Sequence, residues 1–96
     1  MRRAARTDAN HAEIVQALRN AGCSVFDCSG LGGGFPDLCV GIGGRTVLVE
    51  VKDGSKPPSR RLLTPDQLDF HAKWKGGTLA IVCDVESALR VVNIAA

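Results

Sequence analysis

Two strand-like segments joined by a pair of glycines constrain the fold of this chain most strongly. Residues 37–42 and 45–52 are rich in valine, leucine and isoleucine, and only Gly43 and Gly44 lie between them. A two-residue hairpin turn commonly requires positive φ at both positions, which glycine adopts without steric cost. We therefore predict an antiparallel β-hairpin in which Ile42 pairs with Arg45.

The segments on either side of the hairpin predict an α/β domain with the element order αβββαβα. The clearest helix start is Thr64-Pro65-Asp66-Gln67, which combines an N-cap, a proline at the first helical position and a capping-box glutamine. We expect this helix to end at Gly76-Gly77 and to connect two parallel strands, so that the sheet is mixed. The other predicted elements are a helix from a cap at Thr7 or Asp8 to about residue 21, strands over residues 24–28 and 78–83, and a helix over residues 85–89, with residues 90–94 either its continuation or a last strand.

Length and composition indicate a single small domain over residues 1–96. A hydrophobic content of 45% argues against disorder. The longest apolar runs are well below the ~18 residues needed to span a bilayer, and no signal peptide is visible, so we expect no membrane partner. The four cysteines include no C-x-x-C pair. We therefore expect reduced thiols and a cytoplasmic protein.

Positive charge is concentrated in two short segments. Residues 1–6 and 56–61 together hold six basic residues and no acid, whereas the rest of the chain holds six basic and ten acidic residues. Basic segments on an acidic body suit contact with a phosphate backbone, which makes Lys56, Arg60 and Arg61 candidate DNA-binding residues and residues 1–6 a flexible basic terminus. The alternative is that both segments only increase solubility.

The end of the second hairpin strand carries the candidate chemistry. Glu50 and Lys52 lie on one face of this strand, since side chains alternate, and the hairpin register places Asp37 opposite Glu50. Opposed like charges destabilise a sheet unless a cation lies between them, and Mg²⁺ is often held by one or two carboxylates with water and phosphate. The alternative is a simple ion pair between Glu50 and Lys52 at a fraying strand end.

These residues also form a known pattern, PD…ExK. Pro36-Asp37 is followed by Glu50-Val51-Lys52, and the flanking positions carry further matches. The string over about residues 30–83 resembles the virus-type replication–repair nuclease (VRR-NUC) family of the PD-(D/E)xK nuclease superfamily. The matching segments are Gly33-Gly34-Phe35-Pro36-Asp37-Leu38, Val49-Glu50-Val51-Lys52-Asp53-Gly54, Leu63-Thr64-Pro65-Asp66-Gln67 and Trp74.

The resemblance implies a restriction-endonuclease-like fold, a mixed sheet flanked by helices, with a divalent metal site. Asp37 and Glu50 would hold Mg²⁺ or Mn²⁺ together with the main-chain carbonyl of Val51. Glu13 would be the family's first-helix acid, near the metal or a second cation. The alternative for Glu13 is a solvated residue on the first helix.

Two further residues take catalytic roles under the same resemblance. Lys52 would position the attacking water and stabilise charge on the phosphate, and Gln67 would orient Lys52 or a phosphate. A purely structural role for Gln67 in the capping box remains the alternative. His11 and His71 both lie on predicted helices, and we interpret them as surface residues.

The implied function is a divalent-metal-dependent endonuclease acting on DNA. Stand-alone members of the resembled family act as homodimers on branched DNA such as Holliday junctions, which predicts a homodimer in a bacterial or phage-infected cell. Size favours a dimer as well, because one small chain carries one site and a junction needs two symmetric cuts. The alternatives are a catalytically inactive DNA-binding protein and a structural scaffold on the same fold.

Overall fold

The fold is a four-stranded mixed sheet flanked by three helices. The computed structural model describes residues 7–95, with side chains as far as Asn93, so the predicted flexible basic terminus over residues 1–6 lies outside the described residues. In chain order the elements are α1 (His11–Asn20), β1 (Ser24–Asp27), β2 (Leu38–Ile42), β3 (Arg45–Val51), a 3-10 helix (Pro58–Arg60), α2 (Pro65–Lys73), β4 (Leu79–Val82) and α3 (Val85–Ala95).

The predicted hairpin forms between β2 and β3 in the expected register. Gly43 and Gly44 adopt φ values of 57° and 77°, the positive range that a tight hairpin turn needs. Ile42 pairs with Arg45 at the turn, and Leu38 pairs with Val49 at the far end. Asp37 immediately precedes β2, although we predicted that the strand would include it. Because Leu38 pairs with Val49, Asp37 still lies opposite Glu50 when the register is continued by one residue.

The sheet has the order β1-β2-β3-β4, with one parallel pair. β1 runs antiparallel to β2, and β3 runs parallel to β4 because α2 and its flanking loops carry the chain back across the sheet. This topology confirms the predicted mixed sheet and its single β-α-β crossover.

One face of the sheet forms the core with α1 and α3. The alternation of β3 turns its valines toward these helices, and every member of the core cluster is at least nine-tenths buried. The opposite face of β3 carries Leu48 and Glu50, so the strand separates an apolar core from a polar site. The core side chains are Ile14, Val15, Leu18, Cys23, Leu38, Val40, Val47, Val49, Val51, Val82, Ala88 and Val92.

Two helices differ from their predicted bounds. α1 begins at His11 rather than beside Thr7 or Asp8, because Asn10 takes a tertiary role: its side-chain amide donates hydrogen bonds to the carbonyls of Lys52 (3.2 Å) and Cys83 (2.8 Å). α3 continues through residues 90–94 as a helix. Its buried Ala88 and Val92 are four residues apart, the spacing at which one helix face meets a core.

The predicted capping box starts α2. The Thr64 hydroxyl accepts from the backbone N–H of Gln67 (3.3 Å), and the Gln67 side chain accepts from the backbone N–H of Thr64 (2.9 Å). The helix ends at Lys73, before the predicted Gly76-Gly77. Trp74 is extended there, and its indole N–H donates to the carbonyl of Gly77 at 2.9 Å.

All four cysteines are free thiols, as predicted; Cys23 and Cys28 are buried and Cys39 and Cys83 half-buried. None of the helices within residues 7–95 is long and apolar enough to cross a membrane.

A glycine between the hairpin and β1 fixes the approach of α2 and supplies a stability test. Gly34 has a φ of 80°, and a Cβ built there would overlap the carbonyl oxygen of Asp66 in the first turn of α2. Gly34→Ala therefore adds backbone strain of about 1–2 kcal/mol and an overpacking cost of about 1–3 kcal/mol. We expect the free energy of unfolding in urea to fall by the sum.

Gly32→Ala is the matched control, because Gly32 has a φ of 74° but no atom within 4 Å of the added Cβ. It should lose only the strain component. Equal losses in the two variants would contradict a close contact between the glycine loop and α2.

Candidate active site

A polar cleft of about 480 Å³ lies at the end of β3. The structure brings together there most of the residues that the sequence predicted for the site. β3 supplies Glu50 and Val51, the residue before β2 supplies Asp37, and α2 supplies Gln67. The complete lining is Thr7, Asp8, Asp37, Glu50, Val51, Lys52, Lys56 and Gln67.

The Glu50 carboxyl is the most confined polar group in this cleft. Its residue is 2% exposed, Oε2 accepts from the Gln67 side-chain amide at 3.1 Å, and Oε1 is buried without a hydrogen-bond partner. Burial is the largest of the effects that together raise the pKa of Glu50 to about 8; the neighbouring carboxylate of Asp37 also raises it, and the charge of Lys52 lowers it. Glu50 is therefore mostly protonated at neutral pH while no cation is bound.

Asp37 is held beside Glu50 by the backbone of β3. Its Oδ2 accepts from the N–H of Val51 at 2.8 Å, which fixes the orientation of the carboxylate. Two carboxyl groups this close can share a proton or a cation, and the partnerless Oε1 of Glu50 requires one or the other.

The donor set fits a hard divalent cation. Asp37 and Glu50 offer carboxylate oxygens, and Val51 lines the same cleft. Residues 7–95 contain no group of three or more His, Cys, Asp or Glu side chains that could hold an ion. A two-carboxylate site suits Mg²⁺, which keeps several waters and binds with substrate phosphate.

Gln67 joins the helix cap to the site. Its Oε1 accepts from Lys52 Nζ at 2.8 Å as well as from the backbone of Thr64, and its Nε2 donates to Glu50. The capping box and a position beside the site were alternatives for Gln67 in the sequence, and in the structure the same side chain makes both sets of contacts. Within the described part of the chain, Glu50 and Lys52 form no direct ion pair, since both are bonded to Gln67 instead.

The acid that reaches the cleft from the N-terminal side is Asp8, which the sequence analysis did not select. Asp8 lines the cleft, and its charge contributes to the raised pKa of Glu50. Glu13, the predicted first-helix acid, is exposed in the first turn of α1 and is not among the lining residues. The difference follows from the late start of α1, which leaves Asp8 in the non-helical approach to the sheet.

Both histidines were wrongly predicted to lie on the surface. His11 is 7% exposed, and its Nε2 lies 3.1 Å from Oδ2 of Asp27. His71 is half-buried, and burial together with the charge of Lys52 lowers its pKa. A helical pattern alone did not reveal that β1 and Lys52 face these positions.

Comparison with solved structures shows which fold this site occupies. A VRR-NUC domain superposes with a TM-score of 0.65 and 23% sequence identity, over 90% of this chain and 97% of that one. The chain has the fold of a VRR-NUC domain. No family model matches the sequence, and no curated protein matches it. The fold predicted from the PD…ExK pattern is thereby confirmed.

The raised pKa of Glu50 predicts an unusual pH dependence of stability. Its value moves from 4.5 to about 8 on folding, so between these pH values the folded state binds more protons than the unfolded state. Without divalent metal, the Glu50 contribution to the free energy of unfolding is complete below pH 4.5 and lost as pH rises through about 8. Glu50→Gln should remove this decline.

The measurement is urea unfolding across this pH range in EDTA, with Glu13→Gln as the control. Glu13 is exposed, so its variant should follow the wild-type pH profile. A Glu50→Gln profile that also matched wild type would show that Glu50 titrates normally.

Proposed function

We propose that this protein is a divalent-metal-dependent endonuclease that hydrolyses DNA phosphodiester bonds. The observation that carries the proposal is the partnerless buried oxygen of Glu50, which faces the same cleft as Asp37 and Lys52. A buried acid beside a second acid is costly in an ordinary strand end, and such perturbed groups cluster at functional sites. The VRR-NUC fold supports the same conclusion.

Asp37, Glu50 and the main-chain carbonyl of Val51 would hold Mg²⁺ or Mn²⁺. The bound cation would supply Lewis-acid stabilisation of the negative charge on the phosphate. The protein contributes oriented ligands: the N–H of Val51 holds Asp37, and the amide of Gln67 holds Glu50. Glu13 is exposed and outside the cleft lining, so Asp8 is the better candidate for a further acid near the metal.

Lys52 is the proposed catalytic cation. Its Nζ is fixed by Gln67 at 2.8 Å, beside the two carboxyl groups rather than free in solvent. An ammonium held there can orient the attacking water and stabilise the charge that develops on the phosphate. Gln67 positions Lys52 and Glu50 together, so its rigid capping geometry limits how far either group moves.

The substrate contacts extend from the cleft along the basic loop. Lys56 lines the cleft, and Arg60 and Arg61 follow on the same loop. These cations would bind the DNA backbone on the side next to Lys52. A solubilising role alone does not explain why Lys56 shares a cleft with Asp37 and Glu50.

Branched DNA such as a Holliday junction is the proposed substrate, cut by a homodimer. One chain presents one such cleft among its described residues, and a junction is resolved by two symmetric cuts, so two copies related by a twofold axis meet the need. A domain this small is better suited to recognising DNA shape than base sequence. The free cysteines fit a reducing compartment such as the cytoplasm.

Metal binding is tested by Asp37→Asn. Mg²⁺ or Mn²⁺ at a hundredfold excess over its dissociation constant should stabilise the wild type by about 2.7 kcal/mol, a rise in Tm on the order of 10 °C. Asp37→Asn should keep the fold, since the amide oxygen can still accept from Val51, and should abolish the rise. Thermal unfolding with and without metal measures both effects.

The control for the metal test is Asp69→Asn, the same chemical change at an exposed residue of α2. It should retain the full rise in Tm. A metal-induced rise in Asp37→Asn equal to that of wild type would remove Asp37 from the metal site.

Catalysis is tested by Lys52→Ala. The metal ligands remain, so the metal-induced rise in Tm should persist, while the cleavage rate should fall by roughly 10²-fold or more. Lys75→Ala, at an exposed position outside the cleft, is the charge-matched control. Gel assays on linear, nicked, flapped and four-way-junction DNA with Mg²⁺, Mn²⁺ or EDTA supply the rates.

An unchanged rate in Lys52→Ala would show that Lys52 is not catalytic even if the fold is that of a nuclease. A wild type that binds DNA but never cuts it would support the inactive DNA-binding alternative instead.

A further inference from the structure

The loop over residues 53–63 has a defined shape, although its glycine and prolines alone predict a mobile connection. Asp53 is buried and accepts from the backbone N–H (2.9 Å) and hydroxyl (2.7 Å) of Ser55. Pro58–Arg60 forms a 3-10 helix, and Nε of Arg61 donates to the carbonyl of Lys56 at 2.8 Å. These contacts close the loop on itself, so its exposed residues are presented in a fixed arrangement.

Both ends of this loop are anchored to the body of the domain, close in sequence to the cleft residues Lys52 and Gln67. At its start, the N–H of Gly54 donates to the carbonyl of Cys83 at 2.9 Å, and a Cβ on Gly54 would lie 2.5 Å from that oxygen. At its end, Thr64 is bonded to Gln67, the residue that holds Lys52. The loop therefore has a fixed position relative to the proposed catalytic lysine.

The same loop exposes an unexpected leucine. Leu62 is 72% exposed, the largest value among the exposed large hydrophobic residues of the described chain. It directly follows Arg60 and Arg61, and Arg61 is bonded to the backbone of Lys56, a cleft residue. An apolar side chain is thus held among cations at the edge of a phosphate-binding surface.

We propose that Leu62 is a wedge that inserts into an interrupted base stack of the DNA bound at the cleft. The inference rests on the proposed nuclease function and names the feature by which the enzyme selects its substrate. The neighbouring cations would bind phosphates, which linear and branched DNA both present. Leu62 would supply the contact that distinguishes the two DNA structures. Leucine is one of the side chains that proteins insert between base steps.

The free energies of leucine burial and base unstacking explain why such a wedge would favour branched over linear DNA. Fully burying a leucine side chain is worth about 1.5–3 kcal/mol. Unstacking an intact base step costs a few kcal/mol, so insertion into a continuous duplex gains little or nothing. At a branch point the stack is already interrupted, and most of the burial energy of Leu62 is retained. The wedge therefore favours branched over linear DNA without reading base identity.

Binding without cleavage separates this inference from the chemistry. We would place 2-aminopurine at the branch point of a four-way junction, and at the matching position of a linear duplex, and measure fluorescence and anisotropy in EDTA at pH 7. Wild type should bind the junction and increase its 2-aminopurine fluorescence.

Three leucine variants decide the role. Leu62→Ser should weaken junction affinity by roughly tenfold and abolish the fluorescence increase, with affinity for the linear duplex unchanged. Leu62→Met, which keeps an apolar side chain, should behave as wild type. Leu68→Ser makes the same change at another exposed leucine, on α2, and should have no effect.

Each contrary outcome overturns the wedge. If Leu62→Ser matches wild type, loses affinity equally for both DNAs, or is matched in its loss by Leu68→Ser, Leu62 does not select branched DNA. In those cases metal-dependent cleavage of DNA by wild type, if it is measured, still supports the proposed function. If wild type neither binds nor cuts any of the DNAs, the proposed function and the wedge both fail.

Discussion

The geometry of the cleft depends on the Glu50 carboxyl, which β3 holds out of water beside a second acid. Desolvation disfavours its charged form, and the neighbouring carboxylate of Asp37 disfavours it again, so the group retains a proton to about pH 8. When the proton is removed, two neighbouring carboxylates repel each other, and a cation between them would be stabilising. The metal proposal and the pH prediction both follow from this repulsion.

Gln67 holds the charged groups around Glu50 in place at the end of β3. Its amide N–H₂ supports the carboxyl of Glu50, while its carbonyl oxygen accepts from both Lys52 and the backbone of Thr64. A glutamine at the third position of a helix is already immobilised by the capping box. The chain thus uses a rigid local motif to hold two opposite charges near each other without letting them pair directly.

The sequence predicts best those features whose causes are local. Gly43-Gly44 sets the hairpin and its register, so the position of Asp37 opposite Glu50 could be predicted without coordinates. Thr64-Pro65-Asp66-Gln67 sets the start of α2, but only the resemblance to the VRR-NUC family indicated that Gln67 lies beside the two acids. The start of α1 could not, because Asn10 bonds to two carbonyls that are distant in the chain. Glu13 was selected through the family resemblance alone, and the late start of α1 leaves Asp8 at the cleft instead. The burial of His11 likewise depends on Asp27, which reaches it from another element.

The bonds from Asn10 to Lys52 and Cys83 have a consequence for the timing of folding. They join three segments that are spread over residues 10–83, and β3 also needs its parallel partner β4 to complete its hydrogen bonding. Contacts between residues so far apart form late, after the local hairpin and helices. On the ribosome, a partly synthesised chain therefore has the hairpin but lacks the support that completes the cleft. The cleft is therefore completed only after residues 79–83 have left the ribosome and β4 has paired with β3.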